Sequence, residues 1–207
     1  IEDRREHLIA SVHAREHVYD VTVYADNDGT LLGVQGDVYI DAGAYSLWPT
    51  GSFMEASMAA RNLPGPYRMK ALKVNTFTVA TNKSPMGPYR GVARPGACFT
   101  IERMVDELAR HLGREPVEIR RQNIVAGAQM PYVTIGGMKL DTGDYPVSLA
   151  TALEMVTTFV PLADCRWCRL AASCRYCSLA AGSIAGDVTV LPRMTGRVRR
   201  LEEAGVI

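Results

Sequence analysis

Residues 82–96 read Asn-Lys-Ser-Pro-Met-Gly-Pro-Tyr-Arg-Gly-Val-Ala-Arg-Pro-Gly, with three glycines, three prolines, two arginines and a lysine in fifteen positions. Glycine admits backbone conformations closed to other residues and lets a chain approach a ligand closely. Proline fixes φ and lowers the entropy lost when a loop orders. Unpaired N–H groups in such a loop, followed by a helix start, suit an anionic or strongly polar ligand. Arg90 adds a planar donor that stays charged at any working pH. The same composition also describes a rigid connection whose arginine pairs at the surface. The local pattern leaves both readings open.

Other residues carry potential chemistry. His13 and His17 stand four apart and would share a helix face, but Ala14, Arg15 and Glu16 between them make no H-E-x-x-H arrangement. They are expected, with His7, to be surface or interdomain histidines. Cys165, Cys168, Cys174 and Cys177 form two C-x-x-C pairs of the kind that binds tetrahedral zinc. Only five residues separate the pairs, fewer than a two-knuckle site normally has, so no metal-binding side chains are expected. A zinc site at these four thiols is the alternative. Cys98 falls in a helical pattern and reads as a buried structural thiol. Glu55 and Glu102 have acid–base chemistry, and Glu102 fits a solvated helix position.

The elements that must position the loop read as mixed α+β. Val21 and Val23 alternate with Thr22 and Tyr24, as in a half-buried strand. Asn27-Asp28-Gly29 is a turn, and Leu31–Tyr45 resumes as the second strand of a hairpin. Arg68–Thr81 is a further extended stretch. From Ala97 the period becomes helical: Ile101, Met104, Val105, Leu108 and Leu112 share one face. Arg103–Glu107 and Asp106–Arg110 have i,i+4 spacing, and Gly113 suits the position just after the helix. Pro116 opens a second helix, and Asp144-Tyr145-Pro146 a third through Leu149, Leu153 and Val156. The loop thus joins a strand to the long helix.

The 207 residues are 47% hydrophobic and 22% charged with a formal charge of +1, ordinary for a globular core and without global attraction to nucleic acid or anionic membrane. No apolar run approaches the roughly 20 residues of a membrane span. No signal peptide is visible, and a cytoplasmic protein is expected. The sequence opens on Ile1-Glu2-Asp3-Arg4-Arg5 and reads as a piece cut from something longer.

Seven short motifs occur in order. They are Glu2-Asp3-Arg4, Asp41-Ala42-Gly43-Ala44-Tyr45, Thr81-Asn82-Lys83 and Gly87-Pro88-Tyr89-Arg90-Gly91 with Arg94-Pro95. Then come Ile101-Glu102-Arg103, Glu118-Ile119-Arg120-Arg121-Gln122-Asn123, and Asp141-Thr142-Gly143-Asp144-Tyr145-Pro146. Together they resemble the molybdopterin-binding large subunit of the xanthine dehydrogenase, aldehyde oxidase and aerobic carbon monoxide dehydrogenase family. The resemblance covers residues 1–157.

The resemblance implies a fold, part of that family's molybdenum-cofactor-binding domain, and a catalytic-subunit fragment that is inactive alone. The reaction implied is hydroxylation of an aldehyde or N-heterocycle with water as oxygen source. The cofactor implied is molybdenum-molybdopterin, as the cytosine dinucleotide, bound without a protein side chain on the metal. Partners implied are an iron–sulfur subunit and an FAD subunit that carry electrons away. Tyr89, Arg90 and Gly91 match the loop that passes the metal, where the arginine position supplies a backbone amide. Val92 matches the substrate-facing position. Valine cannot stack on a flat heterocycle as phenylalanine does, which argues against a purine. Phe53, in Trp48-Pro49-Thr50-Gly51-Ser52-Phe53, is the implied funnel contact, or else an ordinary packed aromatic. Gly91 stands where the carbon monoxide dehydrogenase branch has a copper-binding cysteine, so a hydroxylase-type member is implied. Ala93 and Gly96 depart from the glycine and glutamate common there. The family's catalytic base lies in a Gly-x-Gly-Glu motif that does not occur here, so no catalytic residue is assigned.

Residues 158–207 have another character. Arg, Cys, Ala and Ser are prominent, and no lysine follows Lys139. Arg197–Ile207 resembles the recognition-helix end of bacterial winged-helix regulators, a pattern any Arg/Glu-rich amphipathic helix can produce. The abrupt change fits an off-frame reading of GC-rich coding sequence better than an evolved second domain. The alternative function is a binding or regulatory protein that reuses the domain with a zinc- or DNA-binding tail. Nucleic acid is not the expected partner.

Overall fold

The computed structural model describes residues 1–158 and, as backbone, residues 195–199. Strands β1 (His17–Ala25) and β2 (Leu31–Gly43) form the expected antiparallel hairpin, with Val21 opposite Gly36 and Val23 opposite Val34. Helix α2 (Ser52–Asn62) then crosses to β3 (Ala71–Ala80), which pairs parallel to β2. Parallel neighbours need such a crossover. A short helix, α1 (Arg4–Ala10), precedes the sheet and is closed by a capping box between Asp3 and Glu6.

Alternation puts Tyr19, Val21, Val23, Val38 and Ile40 on one face of the sheet, all buried. Helices α2 and α3 (Arg94–Leu112) cover that face with Ala56, Ala59, Leu63, Ile101, Val105 and Leu108. Gly113 ends α3 at φ +64°, the left-handed cap its sequence position called for. Helix α4 (Pro116–Asn123) packs on α3, the small hairpin β4 (Tyr132–Val133) and β5 (Lys139–Leu140) follows, and α5 (Tyr145–Thr158) starts over Asp144. Asp144 accepts a hydrogen bond from the Val147 N–H at 3.1 Å.

Several expectations need correcting. Helix α3 begins at Arg94 rather than Ala97, so Gly96 lies inside its first turn and not in the loop. The reason is packing: a methyl group on Gly96 would come within 2.7 Å of His17 Nδ1 and 2.9 Å of Tyr19 Oη, so glycine lets the helix lie directly on β1. The ion pairs on α3 close at i,i+3, Arg103 to Asp106 and Arg110 to Glu107, not at i,i+4. Residues 195–199 form a strand, β6, parallel to β1, with Val23 opposite Val198. The helical reading of Arg197–Arg199 is therefore wrong at those positions. Cys165, Cys168, Cys174 and Cys177 lie outside the described residues.

Candidate functional site

The loop between β3 and α3 is held at its entry by two of the sequence motifs. Asp41 Oδ1 accepts from the Thr81 hydroxyl and the Gly43 N–H, both at 2.7 Å, and its Oδ2 lies 3.1 Å from Lys83 Nζ. Burial disfavours the charged form of Asp41, but the Thr81, Gly43 and Lys83 donors outweigh it and hold the carboxyl below its ordinary pKa. Backbone bonds from Thr81 N to Gly43 O and from Ala44 N to Lys83 O, each 3.0 Å, complete the crossing of the two segments. The motif Asp41–Tyr45 thus serves to anchor Thr81–Lys83.

A second strap comes from the N-terminal segment. His13 bridges to Met86: His13 N donates to Pro85 O and Gly87 N donates to His13 O, both at 2.9 Å. Leu47 and the Thr50 carbonyl lie against the α-carbon of Gly87, so the 46–51 turn flanks the loop. Phe53, in the first turn of α2, is exposed rather than packed, and Trp48 is more exposed still.

Beyond Gly87 the loop emerges. Tyr89 and Arg90 are exposed, Gly91 has φ +89° and Val92 has φ +41°. A β-branched residue in that region is strained, and such strain collects at functional loops. Val92 N donates to Tyr89 O at 2.6 Å, and Arg94 N donates to Gly91 O at 3.1 Å. The N–H groups of Arg90 and Gly91 have no partner among the described residues. Two adjacent unpaired donors in the turn that leads into a helix suit an anionic or oxygen-rich ligand. The molybdopterin group implied by the sequence fits this loop on that observation.

The other candidates fall elsewhere. His13 and His17 share no helix, since His17 begins β1, and no His/Cys/Asp/Glu cluster able to hold a metal occurs among the described residues. His17 is not a surface residue. Its ring is 5% exposed and its Nε2 faces Glu55 Oε2 at 3.9 Å, with Glu55 1% exposed. Neither His17 Nε2 nor Glu55 Oε1 has a hydrogen-bond partner. Burial first, then the Glu55 charge, raises the Tyr19 pKa beside them. Glu55 is thus buried beside His17 and Tyr19 rather than open to solvent.

Glu102 is not a solvated helix residue either. It accepts from Tyr67 Oη at 2.8 Å and from Arg120 Nε at 2.7 Å, while Arg120 also reaches Asp106 at 2.8 Å. Two motif segments, Ile101–Arg103 and Glu118–Asn123, meet in this pairing. Cys98 is exposed on α3, contrary to expectation, at the edge of a cleft of about 240 Å³ that Arg61, Arg94, Glu102 and Tyr145 also line. Partial burial of its sulfur, then the Glu102 charge, raises its pKa and keeps it a thiol.

Sequence reading missed Arg15. Its guanidinium donates to the Arg90 carbonyl and lies 5.4 Å from the centre of the Tyr89 ring. The separation of 75 residues gives no local signal that would reveal it.

The model of the molybdopterin cofactor-binding domain matches residues 1–124. The nicotine 6-hydroxylase large subunit of Paenarthrobacter nicotinovorans is 33% identical over 157 residues, 75% of this chain and 19% of that protein. The carbon monoxide dehydrogenase large chain of Hydrogenophaga pseudoflava is 35% identical over 164 residues, 75% of this chain and 20% of that one. Among solved structures, quinoline 2-oxidoreductase from Pseudomonas putida 86 superposes with a TM-score of 0.72 at 32% identity, over 77% of this chain and 20% of that one. The chain spans about a fifth of the length of these relatives. The mixed α+β architecture agrees with these neighbours, and with ordered motifs, anchored loop and matched domain together, the chain belongs to the molybdopterin cofactor-binding domain family.

Proposed function

We propose that this chain is part of the catalytic subunit of a molybdenum hydroxylase and that Tyr89, Arg90 and Gly91 form its contact with the molybdenum-molybdopterin cofactor. The observation that carries the reading is the pair of unpaired N–H groups at Arg90 and Gly91, on a loop anchored from both sides. When bound, the cofactor supplies two-electron oxidation that hydroxylates carbon with oxygen from water. The chain's own part is to present N–H donors to that group on backbone already fixed, so that little reorganisation is needed.

Val92, strained beside those donors, is the residue proposed to face substrate, with Phe53 in the first turn of α2. Relatives named for nicotine and quinoline favour an N-heterocycle over an aldehyde. A similar solved structure is that of a Cu,Mo-CO dehydrogenase. Gly91 offers no thiolate for copper(I), and Cys98 lies on the cleft side of α3, so the hydroxylase branch is favoured over carbon monoxide oxidation. Iron–sulfur and FAD subunits of the same complex are the proposed partners, and the cytoplasm the proposed location. Relatives named as a large subunit and as subunit gamma of a complex support a multi-subunit assembly. The reading includes a boundary near residue 157, supported by the change of composition after it, with no lysine beyond Lys139 and four cysteines between 165 and 177. If the tail is off-frame, family sequence reappears in another frame of the coding DNA past that codon. Its absence from both other frames refutes the off-frame origin.

The test is Gly91→Val in the intact enzyme. A β-branched side chain at φ +89° imposes a cost on the order of 1–2 kcal/mol and pushes the backbone outward. Activity is expected to fall more than stability, with pterin retained and the molybdenum paramagnetic-resonance signal altered. Full activity with an unchanged signal would make the loop a plain linker.

A further inference from the structure

Arg15 is a costly residue for the position it holds. Its φ is +75°, which a side-chain-bearing residue seldom adopts, and its Nε is buried without a hydrogen-bond partner. The neighbouring His13 is strapped to Pro85 and Gly87 by two backbone bonds, which fixes the direction in which the side chain leaves. That side chain spans to the emergent loop. Its Nη2 donates to the Arg90 carbonyl, its guanidinium lies over Tyr89 at 5.4 Å, and Nη2 is 3.8 Å from where a Gly91 side chain would begin.

The consequence follows from peptide geometry. A trans peptide is planar, and its C=O and N–H point in opposite directions. Holding the Arg90 carbonyl toward Arg15 therefore turns the Gly91 N–H the opposite way, away from the protein group that holds it. The next peptide is held separately, because the Gly91 carbonyl accepts from Arg94 N at 3.1 Å and from Arg94 Nη1 at 3.3 Å. Two arginines thus clamp two successive carbonyls. The unpaired Gly91 N–H is what the clamp leaves presented.

We propose that Arg15 is a positioning residue: it clamps the Arg90 carbonyl so that the Gly91 N–H is aimed at the bound cofactor. The cofactor clause rests on the function proposed above, whereas the clamp itself does not. A lysine would keep the charge but lose the planar fork that reaches the carbonyl and covers Tyr89 together.

The experiment compares Arg15→Met and Arg15→Lys with the parent in the assembled enzyme. Hydrogen exchange is followed at the Val92 amide, whose bond to Tyr89 exists only while the loop is formed. Exchange there is expected to rise at least tenfold in Arg15→Met and less in Arg15→Lys, with β1, β2 and α3 amides and the melting midpoint unchanged. The molybdenum paramagnetic-resonance signal is expected to shift and kcat to fall with KM unchanged. Unchanged exchange at Val92 overturns the clamp whatever the activity. Faster exchange spread across the sheet overturns it too, by showing a general structural role. Loop-specific exchange with an unchanged molybdenum signal keeps the clamp but removes the cofactor from it, and so refutes the function proposed for the loop.

Discussion

Asn123 shows what one side chain in the family's Glu118–Asn123 motif does physically. Its Oδ1 accepts from Leu31 N at 2.8 Å, and its Nδ2 donates to Gly29 O at 2.9 Å and Ile119 O at 2.8 Å. The residue is buried, so water cannot replace these bonds. The amide ties the end of α4 to the β1–β2 turn with two N–H donors and a separate acceptor oxygen, a set that a Ser or Thr hydroxyl cannot supply. Asn123→Ala strands the buried Leu31 N–H and the Gly29 carbonyl, at about 1–3 kcal/mol for each, while the Ile119 carbonyl keeps its helical bond. Chemical denaturation is expected to show a loss of about 2–4 kcal/mol, partial relaxation offsetting part of the sum. A loss below about 0.5 kcal/mol, the range of ordinary surface substitutions, would mean that the site relaxes or hydrates.

At the scale of elements, the crossing of β2's end with β3's end depends on a charge. Asp41 gathers Thr81, Gly43 and Lys83 at the mouth of the loop. Its folded pKa is depressed, so its contribution to stability is present above the unfolded carboxyl value of about pH 4. That contribution is lost as pH falls through the lower folded value. Denaturation midpoints measured from about pH 6 down to about pH 2 are expected to fall less steeply for Asp41→Asn than for the parent. The variant starts lower at neutral pH. Parallel acid slopes for the two proteins would show that Asp41 is not the titrating group. The Glu102–Arg120–Asp106 cluster plays the corresponding part between α3 and α4, with Tyr67 held protonated by its burial and by the Glu102 charge.

On the scale of the whole molecule, α2 and α3 cover one face of the sheet, and among the described residues no element covers the other. Val18, Tyr39 and Phe77 occupy neighbouring registers across β1, β2 and β3 on the uncovered face, with Val79 beyond. Tyr39 and Phe77 stack at 5.0 Å. A contiguous apolar row of this kind seeks a cover. The 207-residue chain expressed alone is expected to self-associate or to have poor solubility, which light scattering against concentration measures. A monodisperse monomer with a cooperative melt would contradict this. Among the described residues no helix is long and apolar enough to cross a membrane.

Hairpin, extended β3 and the α3 face were legible in the sequence because each rests on local periodicity: alternation at Val21 and Val23, and the three-to-four spacing of Ile101, Val105 and Leu108. The turn at Asn27–Gly29 and the cap at Gly113 were legible because their chemistry is local too. Family membership was legible from the order of motifs rather than from any one of them. What the motifs do was not. Asp41 meets Thr81 and Lys83, Glu102 meets Tyr67 and Arg120, and Asn123 meets Leu31 only when the chain returns on itself. The start of α3 was misjudged because glycine and proline mark loops by propensity, while the close approach of Gly96 to His17 and Tyr19 is a tertiary fact. His17 and Glu55 look like surface residues by type and are buried by where β1 and α2 meet. Arg15 is the extreme case. A side chain's reach toward a carbonyl 75 residues away has no sequence period, so only the folded chain decides it.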